Sequence, residues 1–533
     1  MEQSFQNFKL SREQEKILER VLEILPELRA LPDVWASKDE ANKWHVQLGF
    51  AQENGEAPSL ASAVYIGLQK TQAHLGFQAD TGDLTGYSIT YPDWASEEKP
   101  SPEIALRRAN TFIESIMGAN AVQYTGWHHG SLSCLDKEGN MIDRNVISVK
   151  YTTLIHGIPF PERLIQVSVD ATGEVIHFTK DYYCEIRRWE ALDLSLFPHP
   201  DKAVITLSEA ERILKKNIVM ELVYMITTFV EPGQGKLVYM VRDALPIIDV
   251  ITGENPWWFL DTIETEPKRI SINGQGRELI ATDQKSAEEL LRRCFGVDLE
   301  GLNLDRVETY NGNLCSYYWS GDKEKEQYAD NGSRREFSLA TKPDSGEMIS
   351  FCAPTSENNE RKEVISPDEA LVTALSLMEK ILPVGEHEMI LTMSSYALAK
   401  DPEWLNMECV DRRYYSSNLI SFYFNYTHLG IPILFTADVV TICMVTGKLI
   451  SFANSGISIP TDLPDASSVV SLDKATDEYA KNTDLHMAYI WPEWRGQKAP
   501  APVLVYRTAD NDEGMMYIDA LTGKAARSGP VSS

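Results

Sequence analysis

The second half of this chain repeats the first. Ser101-Pro102-Glu103-Ile104-Ala105-Leu106 lies over Ser366-Pro367-Asp368-Glu369-Ala370-Leu371 at an offset of 265, and Gly157-Ile158-Pro159 over Gly430-Ile431-Pro432 at 273. Asp249 to Gly253 matches Asp519 to Gly523 at 270, and Leu207 matches Leu472 at 265. Equivalent positions of a repeat are expected in equivalent places in the fold. The constraint is strong because 533 residues are too many for one hydrophobic core. The repeat then says where the chain divides: a first half, 1–265, and a second half, 266–533, of three units each.

Within each half the hydrophobic period switches twice or more between about 3.6 and 2, which marks helix and then strand. Units are expected at about 1–95, 99–190 and 204–262, and again at about 277–353, 364–457 and 468–527. Helices are predicted to open at Ser11 with Gln14, at Ser101-Pro102, at Ser208 with Glu211, near Thr282-Asp283, at Ser366-Pro367 and near Ser471. These positions combine capping side chains with proline where a missing N–H costs nothing. Alternating runs such as Val146 to Thr153, Leu164 to Val169 and Leu419 to Tyr426 predict strands. The closing turns recur around Gly82, Gly173, Gly253, Gly346, Gly447 and Gly523, where glycine supplies a positive φ. Linkers are expected near Pro92 to Pro102, Phe197 to Ala203, Glu264 to Gly276 and Pro354 to Ser366. The fold class that follows is α+β, a tandem repeat of helix-on-antiparallel-sheet units.

Tyr151 to Phe160, with Gly157-Ile158-Pro159, followed by Ile165 to Val175, with Thr172-Gly173, resembles the PepSY-type domain, specifically the repeated YcdB/YcdC-like proteins of Gram-positive bacteria. Tyr426 to Pro432 with Val445 to Leu449 repeats the pattern, and both are similar to the propeptides of thermolysin-like proteases. The turn and packing residues that carry the resemblance are Gly157, Pro159, Gly173, Gly430, Pro432 and Gly447. The resemblance implies a non-catalytic module that binds a peptide or a peptidase. Unlike the secreted members, this sequence shows no basic and apolar leader, so we expect a cytoplasmic protein.

Charge narrows the partners. With 50 basic and 78 acidic residues the formal net charge is −28, which repels phosphate backbones and removes the counterion-release term of nucleic-acid binding. No nucleic acid and no membrane insertion are expected; the longest apolar stretch, Ile218 to Val230, is too short to span a bilayer and contains Glu221. Seven cysteines, an odd number without a C-x-x-C spacing, write neither a disulfide framework nor a zinc site.

No catalytic set is legible. His128-His129 lie side by side on a strand, so their side chains point to opposite faces; His387-Glu388 has no second histidine to complete a zinc-peptidase helix. No serine sits in a nucleophile elbow, the Gly233-Gln234-Gly235 and Gly274-Gln275-Gly276 fragments lack a third glycine, and Asp510 with Asp512 reads as a solvated turn. We expect no catalytic residue, no metal and no cofactor. The candidate binding residues are Trp257, Trp258, Trp491 and Trp494, which either form a sticky surface or fill the joints between units. The functional expectation is a non-enzymatic protein that binds a peptide or protein partner and modulates a peptidase. The alternatives are an enzyme whose site is assembled between the halves and a structural spacer.

Overall fold

The structure, a computed structural model, describes residues 12–24, 33–38, 45–51, 72–78, 84–90, 98–118, 120–135, 141–180, 192–226, 235–242, 247–260, 263–276, 279–297, 299–310, 314–320, 337–354, 365–410, 418–455, 462–508 and 514–528. It is a mixed α+β fold. Helix α1 (Arg12–Ile24), strands β1 (Asp33–Lys38), β2 (His45–Ala51), β3 (Gln72–Gln78) and β4 (Leu84–Thr90), helix α2 (Pro102–Met117) and strands β5 (Val122–Leu135), β6 (Met141–Ile155), β7 (Ile158–Asp170) and β8 (Val175–Lys180) come first. All eight strands form one antiparallel sheet in the order β1-β2-β3-β4-β8-β7-β6-β5. Two four-strand meanders are therefore fused side by side through β4 and β8. Helix α2 lies on this sheet with Ala105, Ala109, Phe112, Ile113 and Ile116 buried. The alanines bring its backbone close, and Phe112 meets Phe178 of β8 at 5.3 Å.

Helix α3 (Leu207–Asn217) and strands β9 (Met220–Met225), β10 (Lys236–Val241) and β11 (Ile248–Asp249) follow. Next come β12 (Lys268–Gly274), α4 (Gln284–Phe295), β13 (Asn303–Tyr310), β14 (Leu314–Ser320), β15 (Phe337–Thr341), β16 (Met348–Cys352), α5 (Pro367–Ile381), β17 (Gly385–Ser394), β18 (Leu419–His428), β19 (Ile431–Pro432), β20 (Asp438–Cys443) and β21 (Leu449–Ala453). These strands build a ten-stranded sheet in the order β12-β17-β18-β20-β21-β16-β15-β14-β13, with β19 on β18. Again two meanders are fused, here through β16 and β21. The segment Glu264 to Gly276, read from sequence as a linker, instead contains β12. Its alternation of Ile270 and Ile272 between polar neighbours buries Ile272 and lets it pair with β17.

Helix α6 (Leu472–Lys481), β22 (Leu485–Ile490), β23 (Glu493–Trp494), β24 (Gln497–Lys498), β25 (Val503–Thr508), β26 (Met516–Asp519) and β27 (Ala525–Arg527) complete the chain. Here the pairing departs from a row of separate units. Strand β10 pairs with β26 and β11 with β25, giving sheets in the orders β27-β26-β10-β9 and β11-β25-β22. Each terminal strand is thus paired in the other segment's sheet, across the boundary near 265. One core results, in which Tyr224, Leu237, Ile248 and Val250 pack with Tyr489, Leu504, Ile518 and Ala520. Two tyrosines seal it reciprocally: Tyr224 donates to the Pro464 carbonyl (2.9 Å) and Tyr489 to the Pro198 carbonyl (2.6 Å).

The glycine turns hold each helix to its own strands. Ile205, Ala281, Ile365 and Val470, each just ahead of a helix, donate N–H bonds of 2.7–2.8 Å to Val250, Gly346, Met444 and Ala520 of the turns. Gly346 shows why the residue is fixed: with φ at 69°, a Cβ would stand 2.9 Å from the Ala281 carbonyl oxygen. Helix α5 opens with Ser366 and Glu369 capping reciprocally, and α4 with Asp283 and Ser286. Helix α3 is capped by Thr206, two residues ahead of the expected Ser208, because the Ile205 bond to the turn sets where the chain enters the helix.

Expressed separately, fragments 1–265 and 266–533 each lack a strand partner for β10 or β25. Neither is expected to unfold cooperatively alone, whereas mixing them should restore a single complex and a cooperative transition, read by size exclusion and circular dichroism.

Candidate functional site

Three of the four tryptophans go to two places. Trp491 packs on Phe197 at 5.8 Å, and its indole N–H donates to the Ala499 carbonyl at 2.7 Å. Its backbone N–H donates to Glu162 Oε1 of β7 at 2.6 Å, and Lys498 Nζ lies 4.8 Å from the ring centre. Trp494 sits in a second cluster, 5.1 Å from Phe259 and 5.7 Å from Tyr396, while Phe259 also meets Trp404 at 6.1 Å and Trp258 at 6.0 Å. Trp494 is 4% exposed and Trp258 43%. Asp401 ties the cluster down, accepting from Trp494 Nε1 and Arg495 Nε at 2.7 Å each. Trp257 is half-buried, with its ring nitrogen buried and without an acceptor among the described residues. Phe259, Tyr396, Asp401, Trp404 and Arg495 were not singled out from sequence, since nothing local in the chain ties positions 93 or more residues apart.

This arrangement separates packing from surface. Trp494→Ala is expected to cost about 3–5 kcal/mol in urea unfolding, as for other large buried truncations, while Trp258→Ala should stay within about 0.5 kcal/mol.

The other sequence candidates are bound up in structure. His128 and His129 face Ser148 and Ile147 in register on β5, on opposite sides of the sheet. His387 Nε2 lies 2.9 Å from the Pro383 carbonyl. Asp510 and Asp512 lie outside the described residues. Among the described residues, no group of three or more His, Cys, Asp or Glu is placed to hold a metal ion. Gly157 and Gly430 occupy matching tight turns with φ of 77° and 75°, each after a residue at 51° (His156) or 50° (Leu429). Pro159 and Pro432 follow in the returning strands, and Gly173 and Gly447 take φ of 86° and 69°.

Among the described residues the most buried acid is Asp438, 1% exposed, which accepts from the Tyr426 hydroxyl (2.8 Å) and the Ser455 N–H (3.1 Å). Burial pushes its carboxyl above the ordinary value of 3.8, and the two hydrogen bonds offset part of that rise. Burial, together with the nearby Asp438 charge, pushes the Tyr426 phenol up. The folded chain therefore binds the Asp438 proton more readily than the unfolded one, and this group's contribution to stability falls as pH rises from 3.8 through the folded value. Tyr426→Phe is expected to cost about 2 kcal/mol where Asp438 is ionised, since a charged acceptor then loses its donor, and about 1 kcal/mol where it is protonated, so the cost should fall as pH is lowered. Urea unfolding across a pH series checks this.

The exposed margins of the sheets are more informative than any polar cluster. Native edges are usually guarded by charge: β1 carries Asp33 and Lys38, β9 Glu221, β12 Lys268 and Arg269, and β13 Asp305, Arg306 and Glu308. Strand β22 lacks such a guard but packs against β7. Strand β5 is different. It is 14 residues long, has no Asp, Glu, Lys, Arg or Pro, and its outer side has no paired strand among the described residues. A bulge between Tyr124 and Gly126 twists its start, and from Trp127 to Leu135 it pairs residue for residue with β6. In the ten-stranded sheet the corresponding margin is β17, the first strand after the second helix on that sheet, and β12 covers it from Lys268–Leu391 to Gly274–Gly385.

The whole eight-stranded sheet coincides with a family match: residues 34–182 fit the model of the YcdB, YcdC repeated domain. The chain carries a YcdB/YcdC repeated domain. Among solved structures, the Bacillus megaterium YpeB C-terminal domain is 15% identical, covers 47% of this chain and 96% of its own, and has a TM-score of 0.26. An uncharacterized protein from Eubacterium rectale ATCC 33656 is 10% identical, covers 60% of this chain and 99% of its own, and has a TM-score of 0.26. No curated protein matches the chain. No described helix is long and apolar enough to cross a membrane. The β5 margin belongs to the YcdB/YcdC domain, while the tryptophan clusters involve segments beyond it.

Proposed function

We propose that this chain is an internally duplicated, non-enzymatic protein, of two three-unit halves at 1–265 and 266–533, that binds an extended polypeptide as an added strand on β5. The observation that carries this reading is the contrast between two sheet margins: β17 is covered by β12 from the same chain, and the uncharged β5 is paired on its inner side alone among the described residues. Strand addition draws affinity from the row of backbone N–H and C=O groups and selectivity from alternate side chains. A peptide captured there would complete the sheet as β12 does. The duplication is supported by the sequence offsets and by the paired turns at Gly157 and Gly430.

The likeness of those turns to protease propeptides extends the reading to a peptidase as the source of the strand, with binding modulating its activity. A reducing, cytoplasmic setting fits the free thiols Cys294, Cys315, Cys352, Cys409 and Cys443.

The test is amide hydrogen exchange with a library of ten-residue peptides carrying Val, Ile or Thr at alternate positions. Protection of alternate amides within 122–135 is expected. Of two neighbouring residues in an edge strand, one N–H points to the inner partner and the other outward. One of His128→Pro and His129→Pro should therefore keep the thermal midpoint while losing the peptide. Absence of protection with every peptide overturns the reading, and a dimer formed through β5 would replace it with self-association.

A further inference from the structure

We infer that the groove between α4 and α5 binds an anionic amphiphile, a single hydrocarbon chain ending in a carboxylate or a phosphate. Over the eight-stranded sheet α1 packs against α2. Over the ten-stranded sheet α4 and α5 flank a cavity of about 860 Å³, a size suited to a small-molecule ligand. Its floor is aromatic: Phe295 at the end of α4 stacks on Phe351 of β16, with ring centres 4.6 Å apart and planes within 7°, and Phe337 and Leu449 extend the apolar surface.

The α5 wall grades from apolar to cationic. Val372, Ser376 and Lys380 line the groove at intervals of four residues, one stripe of the helix. At 1.5 Å per residue the stripe runs about 12 Å, from an exposed methyl surface through a hydroxyl to an ammonium group. Val372 is 67% exposed and adds methyl surface beside the apolar floor. Lys448 adds a second cation, and neither lysine makes an ion pair among the described residues.

Charge decides the ligand class. The chain carries 78 Asp and Glu and a net charge of −28, yet among the described residues no carboxylate side chain lines this cavity. Two cations beside an apolar floor, with no acid among the described lining residues, are complementary to a negative headgroup on an apolar tail. The tail lies on the phenylalanines beside Val372, and the headgroup meets Lys380 or Lys448.

Isothermal titration of the intact chain with octanoate, decanoate and dodecanoate, each below its micelle concentration, tests this. Affinity should rise about 4-fold for each methylene, as burial of hydrocarbon requires. Decanol should bind at least about 10-fold more weakly than decanoate if a charge-assisted contact is made. Decyl phosphate separates the headgroups: binding as tight as decanoate assigns a general anion site, and weaker binding assigns a carboxylate site. Lys380→Gln with Lys448→Gln should bring decanoate down to the level of decanol, and Val372→Trp, at an exposed position, should block all of them without lowering the thermal midpoint. Decanol binding as tightly as decanoate, no binding by any acid, or binding untouched by Val372→Trp would each overturn the proposal. Capture of an acidic amphipathic peptide that decanoate does not displace would assign the groove to a protein and also overturn it. The groove shares no residue with β5, so either result leaves the strand-addition reading to its own test.

Discussion

The reciprocal exchange of strands between the ends of the two chain segments is the constraint on which the rest of the structure depends. Strands β10 and β26 complete one sheet and β11 and β25 the other, so neither segment can close its own core. Backbone N–H and C=O groups left unpaired inside a core are costly, and here the partners come from more than 200 residues away. Tyr224 and Tyr489 repeat the logic at side-chain level, each donating across to a proline carbonyl ahead of the opposite helix. The two large sheets are thereby tied to one shared centre, Ile155 and Phe160 from one side and Ile433 from the other entering the same core.

With the centre fixed in this way, what differs between the large sheets stands out. They share helices on one face, fused meanders and glycine turns tied to helix starts, and they part in two respects. One has its leading margin covered by β12, while the other shows the uncharged β5; one has its helices packed together, while the other has a groove between them. Both differences concern surface that the scaffold itself does not need. Binding can therefore be built on either without disturbing the core, which accords with function residing in sites grafted on a fold.

Local rules served the helices and turns well because they are satisfied within a few residues. Ser366 with Glu369 needs one turn of helix, and a glycine at positive φ needs four or five residues. The Thr206 cap and strand β12 show where such rules yield: a backbone bond from Ile205 to Val250 moves a helix start by two residues, and pairing with β17 turns a charged, glycine-bearing linker into a strand. The tryptophans illustrate the same limit. Sequence marked Trp257, Trp258, Trp491 and Trp494 as one class, and the fold sorted them by whether Asp401, Ala499 or open solvent met the ring. The β5 margin had a legible signal, fourteen residues without a charge, yet that signal acquires meaning only at the edge of a sheet.

The sequence by itself determined the α+β composition, the caps of α4, α5 and α6 and the positive-φ glycines of the described turns, because each is set by torsions and hydrogen bonds between near neighbours. Only the tertiary structure decided which strands pair across the chain, which margin has no paired strand among the described residues and which helices stand apart. Those outcomes depend on contacts between residues hundreds of positions distant, where the energy of a pairing is shared by two segments and is written in neither alone.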